Sequence, residues 1–217
     1  MSSDVVSFDV FRGISGNIVA DHATKSLGHN EIFIETTHSG LCGTDLHYMH
    51  SGKVLGHEGV GIVRKLGPGV TSVNVGDRNV VDFETRGDPD IGSLSNGVVW
   101  DADAVVPVPD GYDSVDAAPL LCAGGTVWTV LTEYGIKATD RVGILGIGGL
   151  GHLAIKLGAA LGCHVVVLSS SDTKRQEAFE FGAKEYYVLK SGEKPEGLKP
   201  LDHLLVCGSS SSMDYTL

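Results

Sequence analysis

Positive charge is scarce in this sequence. Its 217 residues contain 16 Lys and Arg against 27 Asp and Glu, which gives a formal net charge of −11 at pH 7. Proteins that bind nucleic acid need clustered cations to neutralise the phosphates. We therefore expect no nucleic-acid partner.

Long apolar runs are missing as well. A membrane-spanning helix needs about 20 consecutive, mainly apolar residues, and no run in the chain approaches that length. No basic and apolar leader follows Met1. Since 42% of the residues are still hydrophobic and the mean hydropathy is +0.11, we expect a soluble, cytoplasmic protein with a buried core and no membrane partner.

Cysteine is sparse and widely spaced. The four cysteines are Cys42, Cys122, Cys163 and Cys207, and no two of them form a Cys-x-x-Cys pair. Such spacing is a poor disulfide framework. Reduced thiols in the cytosol are the simpler interpretation.

Glycine, by contrast, is abundant, with 30 residues. Between residues 30 and 81, short β-rich segments alternate with turns such as Gly67-Pro68-Gly69, because glycine admits positive φ and proline fixes its own φ. The predicted strands are 30–36, 59–63 and 80–81. The pattern predicts a barrel-like β domain, which we place at residues 1–138, with a surface loop at 82–96.

The character of the chain changes after Ala117. The spacing of apolar residues predicts a helix within 117–134, and strands then alternate with helices. The predicted strands are 141–145, 164–168, 185–189 and 201–207, and the predicted helices are 150–161 and 173–181. This order predicts a parallel sheet with right-handed crossovers, in an α/β domain at residues 139–217.

A glycine-rich turn follows the first strand of that sheet. Its sequence, Gly146-Ile147-Gly148-Gly149-Leu150-Gly151, stands between an apolar strand and an apolar helix. Glycines at this place let the backbone approach a pyrophosphate, and the helix N-terminus supplies N–H donors. The turn predicts dinucleotide binding; the alternative is an ordinary strand-to-helix turn.

The end of the second strand favours NADP over NAD. Three serines at residues 169–171 precede Lys174 and Arg175, and hydroxyl donors with positive charge suit a 2′-phosphate. Alternatively, Ser171 or Asp172 caps the next helix and the cations are solvated. Asp172 could also reach a ribose hydroxyl. The expected cofactor-binding residues of this region are Gly146, Ile147, Gly148, Gly149, Leu150, Gly151, Ser169, Ser170, Ser171 and Lys174.

Three separate segments carry residues that suit a zinc site: Cys42, His57 and Cys122. Two thiolates and an imidazole make a three-ligand site with a fourth position open for water or substrate, as catalytic zinc requires. Taken singly, each residue also has an ordinary structural interpretation, since a lone Cys is often a small buried apolar residue.

Together the motifs resemble the zinc-dependent alcohol dehydrogenases of the medium-chain dehydrogenase/reductase superfamily, in particular their NADP-using, cinnamyl-alcohol-dehydrogenase-like branch. The matching segments extend over nearly the whole chain and are Cys42-Gly43-Thr44-Asp45-Leu46-His47, Gly56-His57-Glu58, Val75-Gly76-Asp77-Arg78, residues 117–124 and residues 146–151. The resemblance implies a GroES-like β-barrel catalytic domain followed by a partial Rossmann domain with a doubly wound parallel sheet.

The resemblance also implies the roles of single residues. The implied zinc ligands are Cys42, His57, Cys122 and, intermittently or as a close neighbour, Glu58. Thr44 would carry the proton-relay hydroxyl and contact the cofactor, His47 would pass the proton to solvent, and Thr126 would lie against the nicotinamide. The implied reaction is hydride transfer between NADP(H) and a small-molecule alcohol or aldehyde polarised by zinc.

The sequence departs from this family in two respects. Residues 79–97 contain no cysteine, so the four-cysteine lobe that holds a structural zinc in many members is absent or replaced by a loop. Full-length members are also more than half as long again. We therefore expect the last two strands of the usual six to be missing after Leu217, in a fragment, a mispredicted gene product or a shortened paralogue.

Three functions stay open from the sequence. The first is the zinc- and NADP-dependent oxidoreductase, and the second is a non-catalytic module that binds zinc and nucleotide. The third is a zinc-free enoyl or quinone reductase of the same superfamily, against which Cys42, His57 and Cys122 argue. A homodimer is compatible with the sequence, and no residue pattern identifies the alcohol or aldehyde.

Overall fold

The computed structural model describes residues 5–82, 88–190 and 195–208. The strands in these ranges are β1 (Val5–Ile14), β2 (Asn17–Ser26), β3 (Glu31–Ser39), β4 (Glu58–Leu66), β5 (Arg78–Asp82), β6 (Val98–Asp101), β7 (Val105–Pro107), β8 (Arg141–Leu145), β9 (His164–Ser169), β10 (Glu185–Val188) and β11 (His203–Val206). The α-helices are α1 (Ser114–Ala117), α2 (Ala123–Glu133), α3 (Gly149–Ala160) and α4 (Arg175–Glu180). Short 3-10 segments occupy Gly43–Tyr48, Ala102–Ala104 and Ala118–Leu120.

The chain divides into two compact units, residues 1–122 and residues 123–217. The sequence predicts the domain boundary after residue 138 instead. The difference corresponds to helix α2, which belongs to the second unit and packs against α3 there.

The first unit is built on an antiparallel sheet with the strand order β6-β3-β4-β5-β7. The three strands predicted between residues 30 and 81 correspond to β3, β4 and β5. Because side chains alternate along a strand, Ile32 and Ile34 both point inward, with 0% and 1% exposure. They pack with Val63 and Val81 in the core of the sheet. The expected β-rich first domain is confirmed.

A hairpin of β1 and β2 precedes this sheet and is absent from the sequence-based prediction. Its signal is partial: Val6, Phe8 and Val10 alternate with exposed residues in β1, but most side chains of β2 are exposed. Ser15 and Gly16 connect the strands with φ of 51° and 81°. Two left-handed residues in a two-residue loop match the type I′ turn that suits the twist of a hairpin.

The hairpin also holds the segment that leads to His57. The N–H of Gly13 donates to the carbonyl of Lys53 at 3.1 Å, and the N–H of Gly16 donates to the carbonyl of Met49 at 2.9 Å. These bonds position the chain directly before a predicted metal ligand.

The predicted surface loop at 82–96 is only partly described, since residues 83–87 lie outside the described residues. Within its later part, Ser93 is buried, with 1% exposure, although Asn96 is exposed. The N–H of Ser93 donates to the carbonyl of Gly56 at 3.0 Å, and its Oγ lies 2.7 Å from Oγ of Ser39. The prediction is wrong at this residue because partners distant in sequence satisfy the buried hydroxyl, which composition does not reveal.

The second unit contains a four-stranded parallel sheet in the order β10-β9-β8-β11. By order of appearance this is 3-2-1-4, so the predicted topology of the α/β domain is confirmed. Residues 165–168 of β9 are fully buried between its neighbours. The predicted helix at 173–181 is shorter in the structure, where α4 covers Arg175–Glu180.

An ion-pair cluster joins the amino ends of β8, β9 and β10. Nη1 and Nη2 of Arg141 donate to the carboxylate of Glu185, at 2.6 and 3.2 Å, and Nε2 of His164 lies 2.7 Å from the same carboxylate. The hydrogen bonds from Arg141 lower the pKa of Glu185 to about 2. The cluster joins the strands at their amino ends. Ligands of such sheets bind at the opposite, carboxyl ends.

In the described ranges, no single helix is long and apolar enough to cross a membrane. Ser114–Leu120 and Ala123–Glu133 pass a test of length and composition only when they are taken together as a bent pair.

Candidate active site

Four predicted metal-binding residues come together in the first unit. Cys42 caps the 3-10 segment Gly43–Tyr48, His57 and Glu58 stand at the start of β4, and Cys122 follows another 3-10 segment. One ligand atom from each residue lies within 4.8 Å of the others. All four cysteines of the chain are free, and the sulfurs of Cys42 and Cys122 are 3.8 Å apart.

This arrangement fits a zinc ion. Two thiolate sulfurs on a tetrahedral zinc, each at about 2.3 Å, are separated by about 3.8 Å, which is the spacing of the two cysteines. The Nε2 atom of His57 is buried, and no described residue offers it a hydrogen-bond partner of good geometry. An unsatisfied buried nitrogen is costly. A bound metal ion would satisfy it, and sulfur with imidazole nitrogen is a donor set that zinc favours.

Asp45 orients two of these residues with one carboxylate. Its Oδ1 accepts from Nδ1 of His57 at 2.9 Å, and its Oδ2 accepts from the N–H of Cys42 at 3.0 Å. The side chain is buried, with 7% exposure. The bond to Nδ1 selects the imidazole orientation in which Nε2 is free to bind a metal, a common arrangement around protein metal sites.

Sequence reasoning missed Asp45 as a functional residue. Asp45 is part of the quoted motif, but the motif alone assigns it no role. The available signal is its position three residues after Cys42, which is the carboxylate position of a capping box. The pairing with His57 joins residues that are twelve positions apart, and no local pattern encodes it.

Hydrogen bonds within this cluster favour the charged forms of His57, Asp45 and Cys42. The hydrogen bond to Asp45 raises the pKa of His57 to about 9. Burial acts to raise the pKa of Asp45, but hydrogen bonds from His57 and from the N–H of Cys42 outweigh it and lower that pKa. Burial likewise acts to raise the pKa of Cys42, and hydrogen bonds from Thr44 lower it below its usual value. The thiolate is the form that binds metal.

The predicted proton-relay residues lie on the 3-10 segment beside Cys42. Thr44 and His47 are both exposed to solvent there. The N–H of Thr44 donates to Sγ of Cys42 at 3.5 Å, so Thr44 is fixed next to one metal-binding residue. Thr126 is an exposed residue of helix α2, which belongs to the second unit.

In the second unit, only some positions of the 146–151 turn require glycine for structural reasons. Gly146 adopts a φ of 91°, and a Cβ at Gly151 would overlap the carbonyl oxygen of Gly146. A Cβ at Gly148 or Gly149, by contrast, would meet no atom of the described residues within 4 Å. The packing of the chain therefore does not require these two glycines. They leave an open approach to the N-terminus of α3, which fits a bound pyrophosphate.

The end of β9 places the predicted phosphate-binding residues near this turn. Nζ of Lys174 donates to the carbonyl of Ile147 at 2.9 Å, while Ser170 and Ser171 are exposed and Ser169 is half-buried. One of the two local alternatives, a helix cap at Ser171 or Asp172, is not what the structure contains. Lys174, rather than Ser171 or Asp172, stands at the N-cap of α4, and the carboxylate of Asp172 pairs with Arg175 at 2.6 Å.

Comparisons with known proteins agree with this fold. Residues 28–110 match the alcohol dehydrogenase GroES-like domain. A probable cinnamyl alcohol dehydrogenase of Eucalyptus globulus is 34% identical in an alignment that covers 89% of this chain and 62% of the relative. The chain thus spans about three-fifths of the length of the curated relatives that it matches.

Two solved structures are similar over most of the chain. A cinnamyl alcohol dehydrogenase from Sorghum bicolor superposes with a TM-score of 0.77 and 29% identity, covering 87% of this chain and 65% of that one. The CAD from Helicobacter pylori, complexed with NADP(H), superposes with a TM-score of 0.82 and 25% identity, covering 93% and 69%. The chain is therefore similar to cinnamyl alcohol dehydrogenases over most of its length, and residues 28–110 match the alcohol dehydrogenase GroES-like domain.

Proposed function

We propose that this chain carries the catalytic zinc site and the NADP(H)-binding turn of an alcohol dehydrogenase, which transfers a hydride between NADP(H) and an alcohol or aldehyde. The observation that carries the proposal is the convergence of Cys42, His57 and Cys122 within 4.8 Å, with the buried Nε2 of His57 lacking a partner among the described residues. The name of the Eucalyptus relative supports the substrate class. The Helicobacter structure, with its NADP(H), supports the cofactor.

In the first unit, Cys42, His57 and Cys122 would hold the zinc ion, with Glu58 beside it. A zinc ion bound there supplies Lewis acidity toward the oxygen of the alcohol or aldehyde. Asp45 holds the imidazole in the metal-binding orientation through its 2.9 Å bond to Nδ1. The N–H of Thr44 donates to Sγ of Cys42 at 3.5 Å, which favours the thiolate form.

The substrate proton needs a route to water, and the 3-10 segment beside Cys42 offers one. Thr44 would exchange the proton of the substrate hydroxyl through its own hydroxyl group. Threonine is too weak an acid to act alone, so His47 would pass the proton onward, since an imidazole can both accept and donate a proton. Both side chains are exposed, which gives the relay access to solvent.

In the second unit, the chain would bind NADP(H), which supplies or accepts the hydride. The open glycines Gly148 and Gly149 let the pyrophosphate approach the N-terminus of α3. The hydroxyl groups of residues 169–171 and the ammonium of Lys174 would bind the 2′-phosphate. The carboxylate of Asp172 pairs with Arg175 at 2.6 Å, and this cation offsets part of its negative charge.

The convergent thiols argue against a zinc-free reductase, which would make no use of two sulfurs spaced for one metal ion. The proposal is tested with the zinc-loaded chain, NADPH and a panel of aromatic and aliphatic aldehydes, by following NADPH oxidation. We expect at least one aldehyde class to be reduced. His57→Ala should lower the rate more than about 100-fold, because even residues that merely support metal ligands cost about 10- to 100-fold when changed.

The matched control is His22→Ala, since the side chain of His22 is 82% exposed on β2. We expect this variant to reduce the aldehyde at the wild-type rate. An unchanged rate in His57→Ala, or the absence of NADPH oxidation with every aldehyde, would contradict the proposed function.

A further inference from the structure

Gly40 lies against the carboxylate of Glu58, beside the metal-binding cluster. A Cβ built at position 40 would overlap Oε2 of Glu58 and lie 3.0 Å from both Cβ and Cδ of that residue. Gly40 is not among the glycines with positive φ, so its backbone conformation is open to other residues. The space that Glu58 occupies, and not the conformation of the chain, is what requires glycine here.

The backbone on both sides of this contact is tethered. The N–H of Gly40 donates to the carbonyl of Glu58 at 2.9 Å, and the carbonyl of Gly40 accepts from Oγ of Ser39 at 3.0 Å. Ser39 is in turn bonded to the buried Ser93 at 2.7 Å. The backbone of Glu58 in β4 lies opposite that of Asp82 in the neighbouring strand β5. A methyl group at position 40 would therefore displace the side chain of Glu58 rather than either backbone.

We propose that Gly40 is a positioning residue for the metal site. Because glycine has no side chain, it leaves the space in which the Glu58 carboxylate lies beside the other ligand atoms. Glu58 is 2% exposed, and one of its oxygens lies within 4.8 Å of the ligand atoms of Cys42, His57 and Cys122. Displacing it moves a buried carboxyl oxygen away from the other ligand atoms. This inference rests on the proposed zinc site and extends it to a residue that binds nothing itself.

Gly43 provides a matched control in the same loop. A Cβ at Gly43 would meet no atom within 4 Å in the part of the chain that the structure describes, and its φ is also outside the left-handed region. Gly40→Ala and Gly43→Ala are thus the same chemical change on either side of Cys42. Only the first brings the new methyl group against Glu58.

The test measures the zinc affinity of the 217-residue chain by competition with a chromophoric chelator. We expect Gly40→Ala to weaken zinc binding about 10-fold or more, the cost usual for residues that support metal ligands. Gly43→Ala should stay within about twofold of the wild type. In a Glu58→Ala background, adding Gly40→Ala should change the affinity by less than about twofold, because the displaced group is gone. The d–d spectrum of the Co²⁺-loaded chain should change in Gly40→Ala and remain unchanged in Gly43→Ala.

Thermal unfolding followed by circular dichroism shows whether each variant folds. If Gly40→Ala alone fails to fold but the Gly40→Ala/Glu58→Ala double variant folds, the methyl group acts through Glu58 and the inference is supported. Equal affinities in Gly40→Ala and wild type, the same loss in both backgrounds, or failure of both variants to fold would overturn it. A wild-type chain that binds no zinc would instead contradict the proposed function, and this inference with it.

Discussion

The zinc content of the purified chain is expected to fall from about one ion to near zero when either Cys42 or Cys122 is replaced by serine. The two sulfurs are 3.8 Å apart, a spacing that one tetrahedral zinc bridges. A serine hydroxyl stays protonated at neutral pH, so each substitution removes an anionic ligand and leaves at most three donors of the cluster. Elemental analysis of metal per chain measures this directly.

Cys163→Ser is the control for this experiment. Cys163 is buried in the second unit, where its Sγ donates to the carbonyl of Lys137 at 3.5 Å. Burial raises the pKa of its thiol, which disfavours the thiolate that a metal needs. We expect its zinc content to match the wild type. Because residues 79–97 contain no cysteine, a wild-type ratio near two would contradict our interpretation that no structural zinc is held there.

NADP(H) is expected to bind more tightly than NAD(H), and Lys174→Met should remove most of that preference. The ammonium of Lys174 is held beside the glycine turn by its 2.9 Å bond to the carbonyl of Ile147. A hydrogen bond between charged partners contributes roughly 1.5 to 3 kcal/mol, so loss of this cation should weaken NADP(H) binding about 10- to 100-fold. Binding of NAD(H), which lacks the 2′-phosphate, should change little. Ser169→Asp should shift the preference further, because a carboxylate repels the phosphate.

Fluorescence titration of NADPH and NADH measures both affinities for each variant. Lys156→Met serves as the control, since the ammonium of Lys156 lies over the ring of Phe181, 4.8 Å from its centroid, on another part of the second unit. We expect it to keep the wild-type preference. Equal affinities of the wild type for the two cofactors would contradict the assignment of residues 169–174 to the 2′-phosphate.

Much of the fold follows from local patterns in the sequence. Strand β8 has the predicted bounds, and β9 and α3 lie within one residue of theirs, because these segments are strongly apolar and bounded by glycine or polar turns. The β1–β2 hairpin was not predicted, since the exposed strand β2 shows no alternation. The burial of Ser93 was not predicted either, since it depends on hydrogen bonds to distant residues.

In the candidate site, too, local motifs predict some residues, while others depend on contacts between distant parts of the chain. Cys42, His57 and Cys122 are found by residue type and motif, because thiolates and imidazoles are the ligands of zinc. Asp45 and Gly40 act through contacts with His57 and Glu58, which are twelve and eighteen positions further along the chain. Such contacts are set by the pairing of β3 with β4 and by the 3-10 segment. A single sequence shows that Asp45 and Gly40 are present, but it does not show which distant residues they contact.

X-ray absorption at the zinc edge of the zinc-loaded chain tests the central claim most directly, since it reports the atoms bound to the metal. We expect two sulfur neighbours at about 2.3 Å, from Cys42 and Cys122, and nitrogen or oxygen neighbours at about 2.0 to 2.2 Å, including the His57 imidazole. Cys122→Ser, at whatever occupancy it retains, should lose one sulfur. A zinc ion with four sulfur ligands, or with none, would contradict the site proposed here.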